Sequence, residues 1–383
     1  MVNVDLPEEL VHLKRMVREF VEGRLQPIEE QVERDDKIPD AVMKEMGALG
    51  FFGIPFPEEY GGAGAGDLGY CAALEEFGRT SAAFSNLIGA HTSIGSMSIY
   101  LGGTEDQKKR YLPELTAGRK IAAFSLTEPS SGSDAASIQT SATKQGDRWL
   151  LNGTKIWVTN GPIADVVVVY AANDRALGAR GGITAFIVEK GFKGFRVGRV
   201  DEKMGLHGSY TGELVFEDCE VPEANVLGGT AGTGFKTALG ALDIGRISLA
   251  AGAVGSSQYL LELATAHAKR RVQFGKPIAV NQAIQWMLAD SAVEIHAARL
   301  MVYDAAAKLD GGKRASTEAA MVKVYASEMA GRVVDRVLQI FGGMGYMKGS
   351  PVERAYRDTR ILRIYEGTSE VQRMIIAEDL LKA

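Results

Sequence analysis

Apolar positions in the first third of the chain recur at helical spacing. In LPEELVHLKRMVREFVEGRLQPIEEQVERD, Leu10, Leu13, Met16, Val17, Phe20, Val21 and Leu25 share one face and charges take the rest. AVMKEMGALGFFGI, LGYCAALEEFGRTS and SNLIGAHTSIGSMSIYLGG predict further helices, the last apolar enough to be buried, and EDQKKRYLPELTAG closes a helical region over residues 1–120. The pattern then changes. IAAFSL, RWLLNGTKIWVTN, DVVVVYAAN, GGITAFIVEK, FRVGRV and GELVFEDCEV are short, rich in β-branched and aromatic residues, and punctuated by Gly, Asp and Asn. They predict strands. Their spacing predicts a small antiparallel barrel or sandwich over 121–232 rather than a parallel βαβ array. From 233 onward, long amphipathic patterns over 233–268, 281–309 and 314–341, then a short final helix, predict a four-helix bundle over 233–383. The expected class is α+β: a helical region, a β region and a helical bundle.

Composition narrows the functions. The 383 residues are 46% hydrophobic and 24% charged, with a net charge of −5, which offers no electrostatic footprint for nucleic acid or an anionic membrane. Two cysteines, Cys71 and Cys219, make neither a disulfide framework nor a zinc site and fit a reducing compartment. The five histidines lack paired metal-ligand spacing, so no metal is expected. MVNVDLPEELVHLKR lacks the basic and apolar regions of a secretory leader, and no run of 18 apolar residues predicts a membrane span. A cytoplasmic protein is expected.

Two glycine-rich stretches are decoys. Gly64, Gly66 and Gly69 spell G-x-G-x-x-G, but Pro55 and Pro57 interrupt the preceding segment, where a dinucleotide fingerprint needs a strand. GTAGTG at 229–234 lacks the Lys-Ser/Thr of a phosphate loop and reads as the hinge into the bundle.

The carboxylate of RIYEGTSEVQR is harder to dismiss. Ser369 and Gln372 fit a capping box, which places the start of the last helix near Ser369 and Glu366 in the loop before it. Gly367 lets that loop turn sharply. On this stretch alone, Glu366 reads as a surface acid stabilised by the helix dipole.

Four more motifs change that reading: FSLTEPSSGSD (Phe124–Asp134), KIWVTNG (Lys155–Gly161), RRVQFGKPI (Arg270–Ile278) followed by NQAIQ, and QIFGGMGY (Gln339–Tyr346) with PVERAYRD. With RIYEGTSEVQR, in this order and over essentially the whole chain, they closely resemble the acyl-CoA dehydrogenase family. The resemblance implies FAD, a homotetramer built as a dimer of dimers, and α,β-dehydrogenation of an acyl-CoA thioester in fatty-acid (β-oxidation) or branched-chain amino-acid breakdown. Electrons would pass to electron-transferring flavoprotein.

The resemblance also assigns residues. Glu366 matches the α-proton base, and its own N–H would help bind the thioester oxygen. The alternative base position of some members falls at Gly245, which has no side chain. Phe124, Leu126 and Thr127 match the flavin edge, Thr127 offering an N–H and a hydroxyl. Gly132 and Ser133 lie by the pyrophosphate and the CoA chain, and Trp157 and Thr159 at the flavin face and N5 edge. Arg271, Gln273, Phe274, Gln339, Gly342 and Gly343 match residues that reach a neighbouring subunit's FAD. Thr368 and Glu370 contact FAD in relatives. Asp243 and Arg246, with Ser133, Tyr365 and Gly367, match the substrate side. Ser125 and Gly349 depart from the family pattern. Small residues at Gly89, Ala90, Ser93 and Gly95 imply a medium or branched acyl chain. His91 reads equally as a pocket residue or a core histidine.

Three alternatives fit less well. An acyl-CoA oxidase would carry a further C-terminal domain. A glutaryl-CoA-type decarboxylating member would need an Arg, and the position aligned with it is Ala83. A nucleic-acid-associated flavin-binding member would carry a basic extension.

Overall fold

The computed structural model describes residues 6–382; the first residues of the segment read above as lacking a leader, 1–5, lie outside it. Helix α1, Glu8–Phe20, runs through a wide π turn (Val21–Leu25) and a 3-10 turn (Gln26–Ile28) into α2, Glu29–Asp35. Pro27 lies in that 3-10 turn, where its missing N–H breaks the α ladder. The apolar face is narrower than predicted: Leu10, Val17, Val21 and Leu25 are buried, but Met16 is 39% exposed.

Helices α3 (Asp40–Ala48), α4 (Gly66–Phe77), α5 (Ala82–Ile88), α6 (Met97–Gly102) and α7 (Glu105–Thr116) follow. A π-helical stretch, Gly89–Ser96, joins α5 to α6. The G-x-G-x-x-G run opens α4, and the Asp310 carboxylate takes the first N–H groups of that helix, Asp67 N at 2.7 Å and Leu68 N at 2.9 Å. A carboxylate already fills the place a phosphate would need.

The β region is one curled sheet of seven strands: β1 (Ala122–Ser125), β2 (Ser141–Gln145), β3 (Arg148–Thr159), β4 (Val166–Ala172), β5 (Ile183–Glu189), β6 (Phe195–Val200) and β7 (Thr211–Pro222). It is mixed rather than purely antiparallel, because β1 runs parallel to β4 from Ala122↔Val166 to Ser125↔Val169, and β2 meets β4 in parallel at Ser141↔Ala172. The all-apolar run of β4 explains this. Val166, Val168 and Tyr170 bury on one side against α7 and α8 residues, and Val167, Val169 and Ala171 bury on the other. A strand covered on both faces carries no alternation, and that is the usual state of a strand in parallel pairing.

The last region holds α8 (Gly234–Arg270), a hairpin of β8 (Val272–Gln273) and β9 (Lys276–Pro277), then α9 (Gln282–Asp310), α10 (Ser316–Phe341), α11 (Gly343–Tyr346), α12 (Pro351–Thr359) and α13 (Ser369–Leu381). By length and composition α8 could cross a membrane, yet most of its apolar stretch is buried as the central helix of the fold. It packs so closely on α4 that a Cβ at Gly255 would lie 1.7 Å from the Glu75 carbonyl oxygen. One hydrophobic core runs continuously from α1–α5 into α8, α9 and α10.

Candidate active site

A cavity of about 450 Å³ lies between β1, β3, α8 and the loop before α13. Phe124, Leu126, Thr127, Gly132, Ser133, Trp157, Thr159, Arg246, Tyr365, Glu366 and Gly367 all line it. Segments more than 200 residues apart in sequence thus meet at one place.

Glu366 sits on a strained turn. Its φ is +54°, a left-handed backbone that costs a non-glycine residue, and Gly367 follows at +91°. Three side chains hold the turn by its carbonyls. Arg246 Nε donates to the Glu366 carbonyl at 3.0 Å, Lys323 Nζ to the Gly367 carbonyl at 2.6 Å, and Gln372 Nε2 to both at 3.1 Å. Asp243 stands behind Arg246 at 2.8 Å and does not line the cavity. The Glu366 N–H has no acceptor among the described residues. Its carboxylate lies over Gly245, where a Cβ would come within 2.4 Å of Oε2. Oε2 is sealed from water without a hydrogen-bond partner among the described residues. Burial pushes the Glu366 carboxyl up to about 7, against the pull of Arg246 and Lys323.

The N-cap lies one residue before the expected Ser369, and with Val371 as the third helical residue it is a simple cap, not a capping box. Thr368 is the N-cap of α13, its hydroxyl accepting from Val371 N at 3.3 Å. Ser369 is the first helical residue, and Gln372 turns back to the Glu366 loop. The S-x-x-Q spacing is genuine, but the helix enters one residue earlier because the Thr hydroxyl reaches the orphan N–H first.

Trp157 owes its position to a bulge. The β3–β7 register slips between Lys155↔Leu214 and Val158↔Gly212, and Trp157 takes φ +55° there, leaving its ring 63% exposed on the cavity wall. A buried ion pair steadies this wall. Lys155 Nζ reaches Glu128 at 2.7 Å and the Leu126 carbonyl at 2.8 Å, Glu128 accepts from the backbone of Gln139 and Thr140, and Ile156 N bonds Thr127 O at 3.0 Å. The clamp binds β3 to the Leu126–Glu128 loop. Burial lowers Lys155 to about 8 while Glu128 remains ionised.

Other predicted residues lie elsewhere. Arg271, Gln273 and Phe274 are on the exposed β8–β9 hairpin, Phe274 wholly so, and Gln339, Gly342 and Gly343 are exposed at the end of α10. Within one chain they do not line the cavity; nor do Thr368 and Glu370. His91 is a core histidine. It is fully buried, accepts from Ala122 N at Nδ1 (2.9 Å), bonds the Leu115 carbonyl through Nε2 (3.0 Å), and is held down to about 4 by burial. Gly89 and Ala90 line the cavity, whereas Ser93 is tied to Tyr70 and Ser248 and Gly95 packs on Ala122.

Motif reading missed Lys323, Gln372 and the Lys155–Glu128 clamp. A signal for Lys323 existed: it falls on the stripe of Ala319, Ala326 and Ala330, the core face of α10.

Comparison with known proteins agrees with this architecture. Three domain profiles match in order: acyl-CoA dehydrogenase, N-terminal domain, at residues 7–119, the middle domain at 123–219 and the C-terminal domain at 232–381. An acyl-CoA dehydrogenase of Bacillus subtilis is 47% identical over 98% of both chains. The structure of butyryl-CoA dehydrogenase from Megasphaera elsdenii superposes with a TM-score of 0.96 at 42% identity, covering 99% of this chain and 100% of that one. A structure from work on the electron transferring flavoprotein of Acidaminococcus fermentans and flavin-based electron bifurcation gives 0.97 at 44% identity, covering 100% of both.

A half-buried carboxylate lies beside this cavity, and relatives matched over nearly the whole chain make the protein an oxidoreductase. The chain belongs to the acyl-CoA dehydrogenase family. Its cofactor is FAD, and the residues fit one. Trp157 presents an uncovered ring face, the Thr127 N–H has no acceptor among the described residues, and a Cβ at Gly132 would meet nothing within 4 Å.

Proposed function

We propose that the protein dehydrogenates an acyl-CoA thioester at its α and β carbons, with Glu366 as the base for the α-proton. The observation that carries this is the Glu366 turn: its carboxylate lies over Gly245 at the cavity wall, and its N–H has no acceptor among the described residues. A thioester whose oxygen took that N–H would bring its α-carbon toward the same residue's carboxylate. The hydrogen bond stabilises the enolate-like charge that develops as the proton leaves. A carboxylate with a proton affinity near neutrality is well matched to this transfer. Bound FAD would supply the acceptor for the β-hydride, which carries both electrons.

Phe124, Leu126, Thr127, Trp157 and Thr159 would hold the isoalloxazine, and Gly132 and Ser133 the pyrophosphate side. Arg246 anchors the base loop and, with Asp243, the CoA side; Tyr365 and Gly367 flank the thioester.

A homotetramer completes the FAD site. Support comes from Trp286, Val293 and Leu300, spaced by seven residues along α9 and 63%, 69% and 46% exposed, and from the fully exposed Phe274 on the hairpin that precedes α9. Apolar faces of this kind mark protein contacts. In that assembly Arg271, Gln273, Phe274, Gln339, Gly342 and Gly343 would reach a neighbour's FAD, and Thr368 and Glu370 would contact FAD next to the base. Electron-transferring flavoprotein is the proposed acceptor, supported by the likeness to the Acidaminococcus structure. The substrate is a short or medium acyl chain, supported by the likeness to butyryl-CoA dehydrogenase.

Anaerobic titration of the flavin absorbance with acyl-CoA thioesters of graded length and branching tests this. Bleaching by one of them, lost in Glu366→Gln, is the expected result. A flavin that no thioester bleaches would overturn it.

A further inference from the structure

Lys323 lies in the middle of α10, fully buried on the stripe that faces the core. Its ammonium makes one hydrogen bond, to the Gly367 carbonyl at 2.6 Å, and among the described residues no carboxylate lies within ion-pairing distance. An ammonium out of water without a close counter-charge is expensive, and a methionine of similar shape would avoid the cost. A lysine there needs a reason other than packing.

The reason lies one residue away, across the Gly367 carbonyl. We propose that Lys323 is a positioning residue for Glu366, which both fixes the turn that carries the carboxylate and, by its charge, favours the ionised form of that carboxylate. This rests on the reading of Glu366 as the base.

Two buried cations favour the ionised form of Glu366, Arg246 first and Lys323 next, and they differ in their own partners. On α8, Arg246 faces the turn but is paired with Asp243 at 2.8 Å, and Asp243 also accepts from Ser316 on α10. From α4, Tyr70 is held by Ser93 at 2.8 Å and stays protonated in its buried site. The π-helical stretch contributes Ile94, while its His91 is turned to Leu115 and Ala122. On the loop itself, Tyr365 is a neutral phenol that burial keeps protonated. On α10 and α13, Glu328 is paired with Arg373 at 2.7 Å, and Glu370 is exposed at the first turn of α13. Lys323 is therefore the buried cation near Glu366 that, among the described residues, has no paired carboxylate of its own. Among these carboxylates, Glu366 acts on it most strongly. Burial lowers Lys323 to about 8, so it remains mostly protonated at neutral pH.

The test uses flavin-loaded Lys323→Met and Lys323→Gln with two readouts. One is kcat against pH with whichever acyl-CoA bleaches the wild-type flavin. The other is the infrared carboxyl band of Glu366, assigned by difference against Glu366→Gln and followed across pH without substrate. In Lys323→Met both midpoints should rise by about one unit or more, since a lost cation disfavours the carboxylate. The kcat at pH 7 should fall roughly fivefold, in step with the ionised fraction, and recover toward pH 9. Lys323→Gln keeps a donor but no charge, and should show the same shift. It also carries the test should the Met variant fail to fold. Midpoints unchanged from wild type in the variant that folds would overturn the proposal. If the wild type oxidises no thioester, the base assignment fails, and the infrared titration still decides whether Lys323 sets the proton affinity of Glu366.

Discussion

The Glu366 carboxylate and the α-carbon of Gly245 share one space: a Cβ at Gly245 would stand 2.4 Å from Oε2 and 2.8 Å from Ile94 Cγ2. Glu366 can lie there only because residue 245 has no side chain. In Gly245→Ala the cheaper response is movement of the flexible carboxylate, not of α8. Catalysis should therefore suffer more than stability. A displacement of about 1 Å at a reacting group costs on the order of 100-fold in rate. We expect flavin reduction by the best thioester to slow by about that factor in stopped-flow traces, with flavin content and melting temperature close to wild type. An unchanged rate would mean the carboxylate works from another position.

The same burial makes Glu366 report on pH. Its carboxyl is raised to about 7 in the folded protein from an ordinary value of 4.5. The folded state thus holds this proton more tightly than the unfolded chain. That contribution to stability is fully present below pH 4.5 and is lost as pH rises through 7. Glu366→Gln has no such loss. The variant should gain on wild type between pH 5 and pH 8, by up to about 3 kcal/mol for a shift of this size. Paired denaturation curves at the two pH values check the sign. In turnover, the acid limb of the kcat/KM profile should fall near pH 7 in wild type.

Much of this site is written in local chemistry and much is not. The long helices α8, α9 and α10 follow from apolar spacing, and Glu366, Trp157 and Thr127 sit in motifs that can be recognised as strings. The parallel β1–β4 pairing is not local, because four consecutive valines suit either orientation until both faces are seen to be covered. The positive φ at Trp157 and Glu366 is equally hidden, since no residue type there asks for it and tertiary contacts impose it. Lys323 looks like any surface lysine until the stripe it interrupts is known to face the core. The cap at Thr368 differs from the expected one at Ser369 because two adjacent hydroxyls compete for the same N–H, and only geometry chooses.

The Lys155–Glu128 pair should matter to flavin binding without touching the reacting atoms. Glu128→Ala leaves the fully buried Lys155 unpaired and frees two backbone N–H groups, those of Gln139 and Thr140. Breaking such a pair costs about 3–5 kcal/mol. We expect a lower melting temperature and weaker FAD retention on dilution, because the Thr127 loop is no longer held to β3.

Ser125 predicts a gain. Its hydroxyl is buried in β1 and has no hydrogen-bond partner among the described residues. Removing an unsatisfied hydroxyl relieves a desolvation cost of about 1 kcal/mol or more. Ser125→Ala should raise the denaturation midpoint with no loss of turnover, and a lower midpoint would show that the hydroxyl finds a partner in the assembled protein.

Phe274 tests the proposed assembly. It stands wholly exposed on a hairpin with φ +50°, where a non-glycine residue pays strain without burial among the described residues. If the hairpin reaches a neighbour's FAD, Phe274→Ser should leave the fold of each chain intact. It should cut FAD retention at low protein concentration, and the loss should be offset at high concentration or by added FAD, since binding of cofactor and of partner chain are linked. Size-exclusion profiles and flavin absorbance across a dilution series, taken together, decide this. Coupled loss of assembly and flavin supports a shared site. Flavin loss without dissociation would place Phe274 against FAD but outside the contact that holds the chains together. Retention of both would remove the hairpin from the cofactor site.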